Sequence, residues 1–279
     1  MSRTEGRRAR VLGVIALAAG IGGACSSCSD SGGSRLVITG SSTIGPVIAE
    51  IARQYEREHP KLRIDVQSGG SSRGIGDVRS GLSDIGMVSR ALEGDEQELH
   101  AHAIARDGVG IILNAQNPVA VLTRAQVVAI YRGEIESWQE VGGRDAKVVV
   151  VHKAEGRATL EVFLEHFGID NREVDASVIV GANEQAIKTV ARSPDAIGYV
   201  SIGTAAVDIE HGVPIKLVGL GDVAPTLENL RRGVYPIARP LNLVTREPAE
   251  GLARAFIEYL RSRAVARLIE AQYFVQVSG

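Results

Sequence analysis

Residues 36–55 read LVITGSSTIGPVIAEIARQY, and this stretch determines the fold class. The β-branched run at 36–39 predicts a buried strand, and glycine and hydroxyl residues follow it at 40–43. Pro46 suits the first turn of a helix, and the apolar positions beyond it repeat at helical spacing. The stretch is therefore a strand, a short loop and an amphipathic helix, with small polar residues at the start of the helix.

The same alternation of strands and helices continues along the chain. Short β-branched or apolar runs predict further strands at 62–66, 85–88, 109–113, 148–151, 197–200, 215–218 and 241–245. Most of these runs are separated by segments with apolar residues at helical spacing. This order predicts an α/β fold in which mainly parallel sheets are flanked by helices.

Two more loops share the composition of the loop at 40–43. They read SGGSSRG at 68–74 and KAEGRAT at 153–159, and each leaves a predicted strand and enters a predicted helix. The helix that follows the loop at 153–159 is expected to end at a C-cap formed by Gly168. Three such loops at the carboxyl ends of strands lie where open α/β sheets bind their ligands.

Small hydroxyl residues at a helix start suit an oxyanion. The first turn of a helix carries backbone N–H groups without partners and the positive end of the helix dipole. One such loop contributes little, about 0.3 to 2 kcal/mol from the dipole and about 1.5 to 3 kcal/mol per hydrogen bond to a charged group. Three loops together predict a site for a phosphate-like anion, whereas helix capping by Ser and Thr is the alternative for any single loop.

The composition excludes several classes of partner. The 279 residues include 31 basic and 33 acidic side chains, so the formal charge is −2, and aromatic residues make up only 4%. A surface for nucleic acid needs a basic field or stacking aromatics, and neither is present. Cys25 and Cys28 form a single pair without a second pair to complete a zinc site, so we expect no metal and no cofactor.

The N-terminal segment is typical of an export signal. Four arginines within residues 1–10 precede an apolar stretch at 11–21 that is too short to span a bilayer comfortably, and small residues follow it. We expect a signal peptide at 1–24 and a flexible tether at 25–33. Cys25 resembles the lipidated cysteine of bacterial lipoproteins, with ordinary signal cleavage as the alternative. The body of the chain is then expected in the periplasm or at the cell surface, held to a bacterial membrane by a lipid anchor.

Several motifs together resemble a known family. They are ITGSST at 38–43, GGSSRG at 69–74, SDIGMVSR at 83–90, VAIYRGEI at 128–135 with Trp138 and the VGG at 141–143, and AIGYVS at 196–201. In order and spacing they are similar to the phosphate-binding proteins of bacterial phosphate ABC transporters. The resemblance extends from about residue 35 to residue 279.

The resemblance implies a type II periplasmic-binding-protein fold, in which two α/β lobes close over phosphate in a cleft. Lobe I would comprise 34–112 plus 238–279, and lobe II would comprise 113–237. Carried over by position, the ligand contacts would be Ser42, Thr43, Ser71, Ser72, Ser89, Arg90, Arg157, Ala158 and Thr159. The implied protein is a monomer that delivers inorganic phosphate to an ABC permease in the inner membrane.

Two departures from the family pattern leave the choice of anion open. Longer members carry a carboxylate near the position of Ser89 that accepts the proton of bound phosphate, whereas Arg90 follows Ser89 here. The positive partner in the second lobe is Arg157, Lys153 or His152. Because a proton acceptor distinguishes phosphate from sulfate, a receptor for sulfate or molybdate remains an alternative, as does a sensor that uses the same closure.

A secreted serine hydrolase is an alternative from another class. Residues 70–74 match the G-x-S-x-G elbow with Ser72 as the nucleophile, although the two other loops then have no role.

Three other features have simpler interpretations. The segment 93–105 is interpreted as an exposed helix that carries the solvated pair His100 and His102. The pair Asp107-Gly108 is interpreted as a turn, with a hinge or a cleft acceptor as the alternative. Trp138 is expected to be a packed anchor for its loop.

Overall fold

The computed structural model describes residues 33–277. The predicted signal peptide, the lipidation of Cys25 and the predicted tether up to residue 32 lie outside the described residues. None of the helices in residues 33–277 combines the length and the hydrophobicity that a membrane span requires.

The described part of the chain contains eleven strands and nine α-helices. The strands are β1 Ser34–Gly40, β2 Leu62–Ser68, β3 Ile85–Val88, β4 His100–Asn114, β5 Val121–Leu122, β6 Val149–Lys153, β7 Val178–Val180, β8 Ala196–Ser201, β9 Ile215–Leu220, β10 Ala238–Thr245 and β11 Val275–Gln276. The helices are α1 Gly45–Glu58, α2 Ser71–Arg79, α3 Arg124–Tyr131, α4 Ala158–Phe167, α5 Asn183–Arg192, α6 Ile202–Glu210, α7 Leu227–Arg231, α8 Gly251–Arg261 and α9 Ala266–Glu270. Every predicted strand is present, and α4 ends at the C-cap Gly168 as expected.

The strands are hydrogen-bonded in the order β2-β1-β3-β10-β4-β8-β6-β7, with β9 and β11 also paired to β4 and β5 paired to β9. The two flanks are parallel, as the alternation of strands and helices predicts: β1 pairs with β2 and β3, and β6 pairs with β7 and β8. The centre differs, because β10 and β4 run antiparallel to each other and to their other neighbours. The sheet is therefore mixed, and its two long central strands join two parallel flanks.

Two large apolar cores lie on either side of this centre. The first packs α1, α8 and α9 on the strands β1 to β3, through side chains such as Ile48 and Phe256 that are fully buried. The second surrounds Trp138 and Phe163, and the Phe163 ring stacks on the Tyr199 ring at a centroid distance of 3.8 Å. Trp138 is fully buried and its indole N–H donates to the Asp195 carbonyl at 2.8 Å, so the prediction of a packed anchor is confirmed.

The prediction of an exposed helix at 93–105 is wrong. A short 3₁₀ helix covers Gly94–Glu98, and His100 begins the long strand β4. The segment pairs with β10, which places His100 opposite Thr245 and His102 opposite Leu243. Small and apolar residues alternate with the histidines, so pairing with β10 satisfies a two-residue period better than a helix does.

The prediction of a turn at Asp107-Gly108 is also wrong. Both residues lie in the interior of β4, and Asp107 is fully buried. The residue directly opposite Asp107 on β10 is Arg239. An oppositely charged cross-strand partner explains why a carboxylate is retained inside a sheet.

Candidate functional site

A small cavity lies where the loops after β1, β2, β3, β6 and β7 meet. Its lining residues come from the starts of helices and the ends of strands: Ser41, Ser42, Thr43, Gly70, Ser71, Ser89, Arg157, Ala158, Thr159, Gly181 and Asn183. Parallel strands place their carboxyl ends at one edge of a sheet, which brings these distant segments together. The three loops singled out in the sequence therefore converge on one space.

Seven of the nine predicted ligand residues line this cavity: Ser42, Thr43, Ser71, Ser89, Arg157, Ala158 and Thr159. Ser72 and Arg90 do not. The Ser72 hydroxyl is exposed and lies 3.4 Å from Glu161 Oε1. The Arg90 guanidinium is buried and pairs with the carboxylates of Glu96 and Glu161, which raise its pKa further above its usual value.

Helix capping accounts for only part of the hydroxyl residues. Ser41 Oγ accepts from the backbone N–H groups of Thr43 and Ile44, which is a local cap. At α2 and α4 the N-cap residues are Gly70 and Arg157, and neither makes a side-chain cap hydrogen bond.

By contrast, α3, α6 and α7 are capped by Thr123, Ser201 and Thr226. The Ser71 and Thr159 side chains therefore lie at helix starts without serving as caps, and both are buried.

Arg239 belongs to this site but was not predicted from the sequence, because no recognisable motif surrounds it. It is 2% exposed, and its guanidinium donates to Thr43 Oγ1 at 3.2 Å, Thr159 Oγ1 at 3.0 Å and Ser89 Oγ at 3.5 Å. One cation thus contacts hydroxyl groups from three separate loops.

Asp107 holds this guanidinium from the other side. Asp107 Oδ2 accepts from Arg239 Nη2 at 2.9 Å and from Nε at 3.3 Å, while Oδ1 accepts from the Gly203 N–H at 3.3 Å. A fully buried charged pair is retained where its geometry satisfies both ions. The signal that could have identified it is the opposite charge at paired positions of β4 and β10, which requires the strand register.

Asn183 is the second residue missed in the sequence. Its side chain is buried in the cavity wall, donates to Thr43 Oγ1 at 3.1 Å and accepts from Lys153 Nζ at 3.2 Å. Lys153 also donates to the Ala182 carbonyl at 2.9 Å. Burial lowers the pKa of the Lys153 ammonium to about 7, against the opposing influence of Glu184.

The structure places the three candidates for the positively charged group that faces the anion, Arg157, Lys153 and His152, in different surroundings. Arg157 lines the cavity, and Lys153 lies behind Asn183. His152 faces an aromatic cluster instead: its Nδ1 lies 3.0 Å from the Tyr199 hydroxyl and its Nε2 lies 2.9 Å from Asn171 Oδ1. Two cations from this stretch therefore join Arg239 at or near the cavity.

The electrostatics of the cavity favour an anion. None of the lining residues is a carboxylate, whereas Arg157 is one of them and Arg239 and Lys153 lie directly behind the wall. Asp107 balances only one of these cations. Hydroxyl groups backed by buried positive charge form an environment in which an oxyanion replaces its hydration shell with fixed donors.

Fold and site together define an α/β binding protein with an anion cavity at the strand ends. The sequence profile of the PBP (periplasmic binding protein) superfamily domain matches residues 26–264, and the chain belongs to this family. The predicted type II periplasmic-binding-protein fold is confirmed.

Individual relatives and solved structures show which members of this superfamily the chain resembles. The phosphate-binding protein PstS of Bacillus subtilis is 29% identical over 238 residues, which cover 84% of this chain and 77% of the relative. PstS of Borreliella burgdorferi is 25% identical over 264 residues, which cover 90% of this chain and 93% of the relative.

A Clostridium perfringens structure described as a phosphate ABC transporter substrate-binding protein with bound phosphate superposes with a TM-score of 0.82. It is 30% identical, and the match covers 88% of this chain and 100% of that chain. An ABC-type phosphate transport receptor from Vibrio cholerae superposes with a TM-score of 0.71 at 31% identity, again over 88% of this chain and 100% of that chain. The resemblance stated from the motifs is confirmed.

Proposed function

We propose that this chain is an extracytoplasmic binding protein that holds inorganic phosphate in the cavity and delivers it to an ABC permease. The observation that carries the proposal is the convergence of three loops on a buried guanidinium in a cavity without a carboxylate. The names of the relatives, phosphate-binding proteins and transport receptors, support the choice of phosphate.

The ligand contacts follow from the lining residues. The proposed hydroxyl donors are Ser42, Thr43, Ser71, Ser89 and Thr159. Arg157 supplies charge, and Ala158 acts through its backbone N–H at the positive end of α4. Ser72 and Arg90 do not contact the ligand in this proposal; both bind the carboxylate of Glu161 at the edge of the cavity.

Transport requires that the ligand-bound form be recognised. We propose that the segments 34–112 plus 238–279 and 113–237 act as two lobes that close over the anion, since both contribute to the cavity wall. The partner is an inner-membrane permease, which a monomer anchored through a lipid on Cys25 would meet at the membrane surface. A sensor that reads the same closed form is the alternative partner.

The chain is proposed not to be an enzyme. In the described structure the Ser72 hydroxyl has a carboxylate, Glu161, as its side-chain partner, and this is not the histidine base that a serine nucleophile requires. A fluorophosphonate probe should therefore leave Ser72 unlabelled, and stoichiometric labelling would favour the hydrolase.

Titration calorimetry of the purified chain with inorganic phosphate tests the proposal. We expect one saturable site, and Ser71→Ala should weaken binding by about 1.5 to 3 kcal/mol through the loss of one hydrogen bond to a charged group. Ser80→Ala is the matched control, because Ser80 ends the same helix and its exposed hydroxyl bonds only to backbone carbonyls. No heat of binding from the folded wild-type chain would contradict the proposal.

A further inference from the structure

One edge of the long strand β4 is shared by two strands that come from distant parts of the chain. β8 pairs with residues 109–113 of β4, and β11 pairs with residues 105–106. Both run antiparallel to β4, so they lie end to end along it. Asp107 and Gly108 separate the two pairings. This gap of two residues therefore lies between a strand of the proposed second lobe and a strand of the proposed first lobe.

The chain segments next to β8 and β11 meet at this gap. The chain leaves β8 through α6 and enters β11 through residues 272–274. Gly203, in the first turn of α6, is the point of contact, since a Cβ built there would lie 2.3 Å from the Gln272 carbonyl oxygen and 2.5 Å from Phe274 Cε1. The Gly203 N–H also donates to Asp107 Oδ1 at 3.3 Å. Two parts of the first lobe therefore contact the start of α6.

The same C-terminal segment reaches the other end of α6 through Tyr273. The Tyr273 hydroxyl donates to the carboxylate of Glu210, which is the last residue of the helix. An α-helix rises by about 1.5 Å per residue, so Glu210 lies about 10 Å along the axis from Gly203. Residues 272–274 therefore contact α6 near both of its ends.

Tyr273 has an unusual backbone conformation. Its φ is +55°, and within residues 33–277 it is the one residue other than glycine with a positive φ. A bulky side chain is strained in this conformation, which persists only where the surrounding structure fixes it. Here the next residue, Phe274, is buried in the first core, and Gln276 Nε2 donates to the Ser262 carbonyl at 3.1 Å. The first lobe thus holds the strained turn that directs the phenol to α6.

A rotation of the lobes at the gap would move these contacts by different amounts. The contacts of Gly203 lie beside Asp107, whereas Glu210 is about 10 Å farther away and moves more. The Tyr273–Glu210 bond is therefore the contact of this segment that depends most on lobe orientation. In the described structure it is present together with the bond from Arg239 to Thr159, which joins the lobes at the cavity.

We propose that residues 272–274 form a latch on α6 that stabilises the closed orientation of the two lobes. Tyr273 is a positioning residue of this latch, because it acts on the bound anion through lobe orientation and is not one of the residues that line the cavity. This inference rests on the proposed function and specifies how closure is controlled.

Calorimetric titration of Tyr273→Phe with inorganic phosphate, together with small-angle X-ray scattering of the ligand-free chain, tests the latch. Phosphate affinity should fall by about three- to tenfold, because one bond of the closed form is lost and apparent affinity scales with the population of that form. If the wild-type lobes are already closed without phosphate, the loss should instead increase the radius of gyration of the ligand-free variant. An unchanged affinity together with an unchanged radius would overturn the latch.

Tyr259→Phe is the matched control. The Tyr259 hydroxyl likewise donates to an exposed glutamate, Glu58, at 3.3 Å, but both of these residues belong to the first lobe. Phosphate affinity and the radius of gyration should therefore equal those of the wild type. A loss of affinity as large as that of Tyr273→Phe would show that the effect does not depend on a contact between the lobes.

Glu210→Ala distinguishes the latch from a general loss of stability. Tyr273→Phe and Glu210→Ala remove the same bond, so each variant and their combination should weaken phosphate binding by about the same factor. Losses that multiply in the double variant would contradict the latch. Failure of the wild-type chain to bind phosphate would instead overturn the proposed function, and an unchanged radius of gyration in ligand-free Tyr273→Phe would then overturn the latch as well.

Discussion

Lys153 is the residue of the site whose charge changes near neutral pH. Lys153 is 3% exposed, and burial lowers its pKa from the ordinary value of 10.5 to about 7, with the charges of Arg239 and Arg157 adding to the effect. Between these two pH values the unfolded chain binds more protons than the folded chain, so the contribution of Lys153 to stability rises with pH. Below about pH 7 the folded protein carries this ammonium buried between neutral acceptors.

A bound anion should raise the pKa of Lys153 again, because an opposite charge favours the ammonium. Above about pH 7 binding then takes up a proton, and affinity falls as the pH rises. Between about pH 8 and 9.5, where phosphate remains a dianion, we expect a decrease of up to about tenfold per pH unit. Calorimetry in buffers of different ionisation enthalpy measures the proton uptake.

Lys153→Arg is the matched variant, since arginine stays charged over this range. Its phosphate affinity should be nearly independent of pH between about 8 and 9.5. If the wild type shows no proton uptake over this range, Lys153 does not sense the bound anion.

At the scale of elements, the start of α2 depends on one glycine. Gly70 has φ +106° and ψ 159°, a backbone conformation that is essentially restricted to glycine. A Cβ built there would lie 2.5 Å from the Gly156 carbonyl oxygen and 3.1 Å from Arg157 Cδ. Gly70 therefore allows the loop after β2 and the loop after β6 to approach each other across the cavity.

Gly70→Ala should weaken phosphate binding by at least about tenfold and lower the free energy of unfolding by about 1 to 3 kcal/mol, because the alanine is strained and separates the two loops. Gly76→Ala is the control within the same helix, since no atom lies within 4 Å of its added Cβ and alanine favours a helix by about 0.5 to 1 kcal/mol. Phosphate titration and urea unfolding measure both variants. Equal affinities would show that the close approach of the two loops is dispensable.

The elements were more predictable from the sequence than the contacts between them. Local periodicity marked the strands and the helix starts, because a buried β-branched run and a loop rich in Ser and Gly are local signals. It failed at 93–105, where alternating small residues and histidines left the choice between helix and strand to the pairing with β10.

The cavity residues also fall into two groups, those that a local sequence motif predicts and those that only the tertiary structure brings to the cavity. Ser71 and Thr159 were identified because they lie in marked loops. Asp107 and Arg239 are 132 positions apart, and only the register of β4 and β10 places them opposite each other. Asn183 likewise begins a helix without a loop motif before it, so its place in the wall is a product of tertiary packing.

At the scale of the whole molecule, a few polar contacts join the two proposed lobes around the cavity. Arg239 of the first lobe bonds to Thr159 of the second, and Asn183 of the second bonds to Thr43 of the first. At the rim, Glu161 pairs with Arg90, whose side chain is 8% exposed and which Glu96 also holds. If the lobes separate when the ligand leaves, the Arg90–Glu161 pair is a contact of the closed form alone, and it stabilises that form without touching the ligand.

Glu161→Gln should therefore weaken phosphate binding by up to about tenfold, mainly through faster release, because apparent affinity scales with the population of the closed form. The unfolding of the ligand-free chain should change little, since Arg90 keeps its pair with Glu96. Glu258→Gln is the control, as it removes an exposed pair with Arg254 on α8, and such pairs contribute about 0 to 1 kcal/mol. Stopped-flow release of phosphate and calorimetric titration separate the two variants. An unchanged affinity together with an unchanged release rate in Glu161→Gln would exclude the pair as a closure contact, because removing a bond made only in the closed form has to destabilise that form.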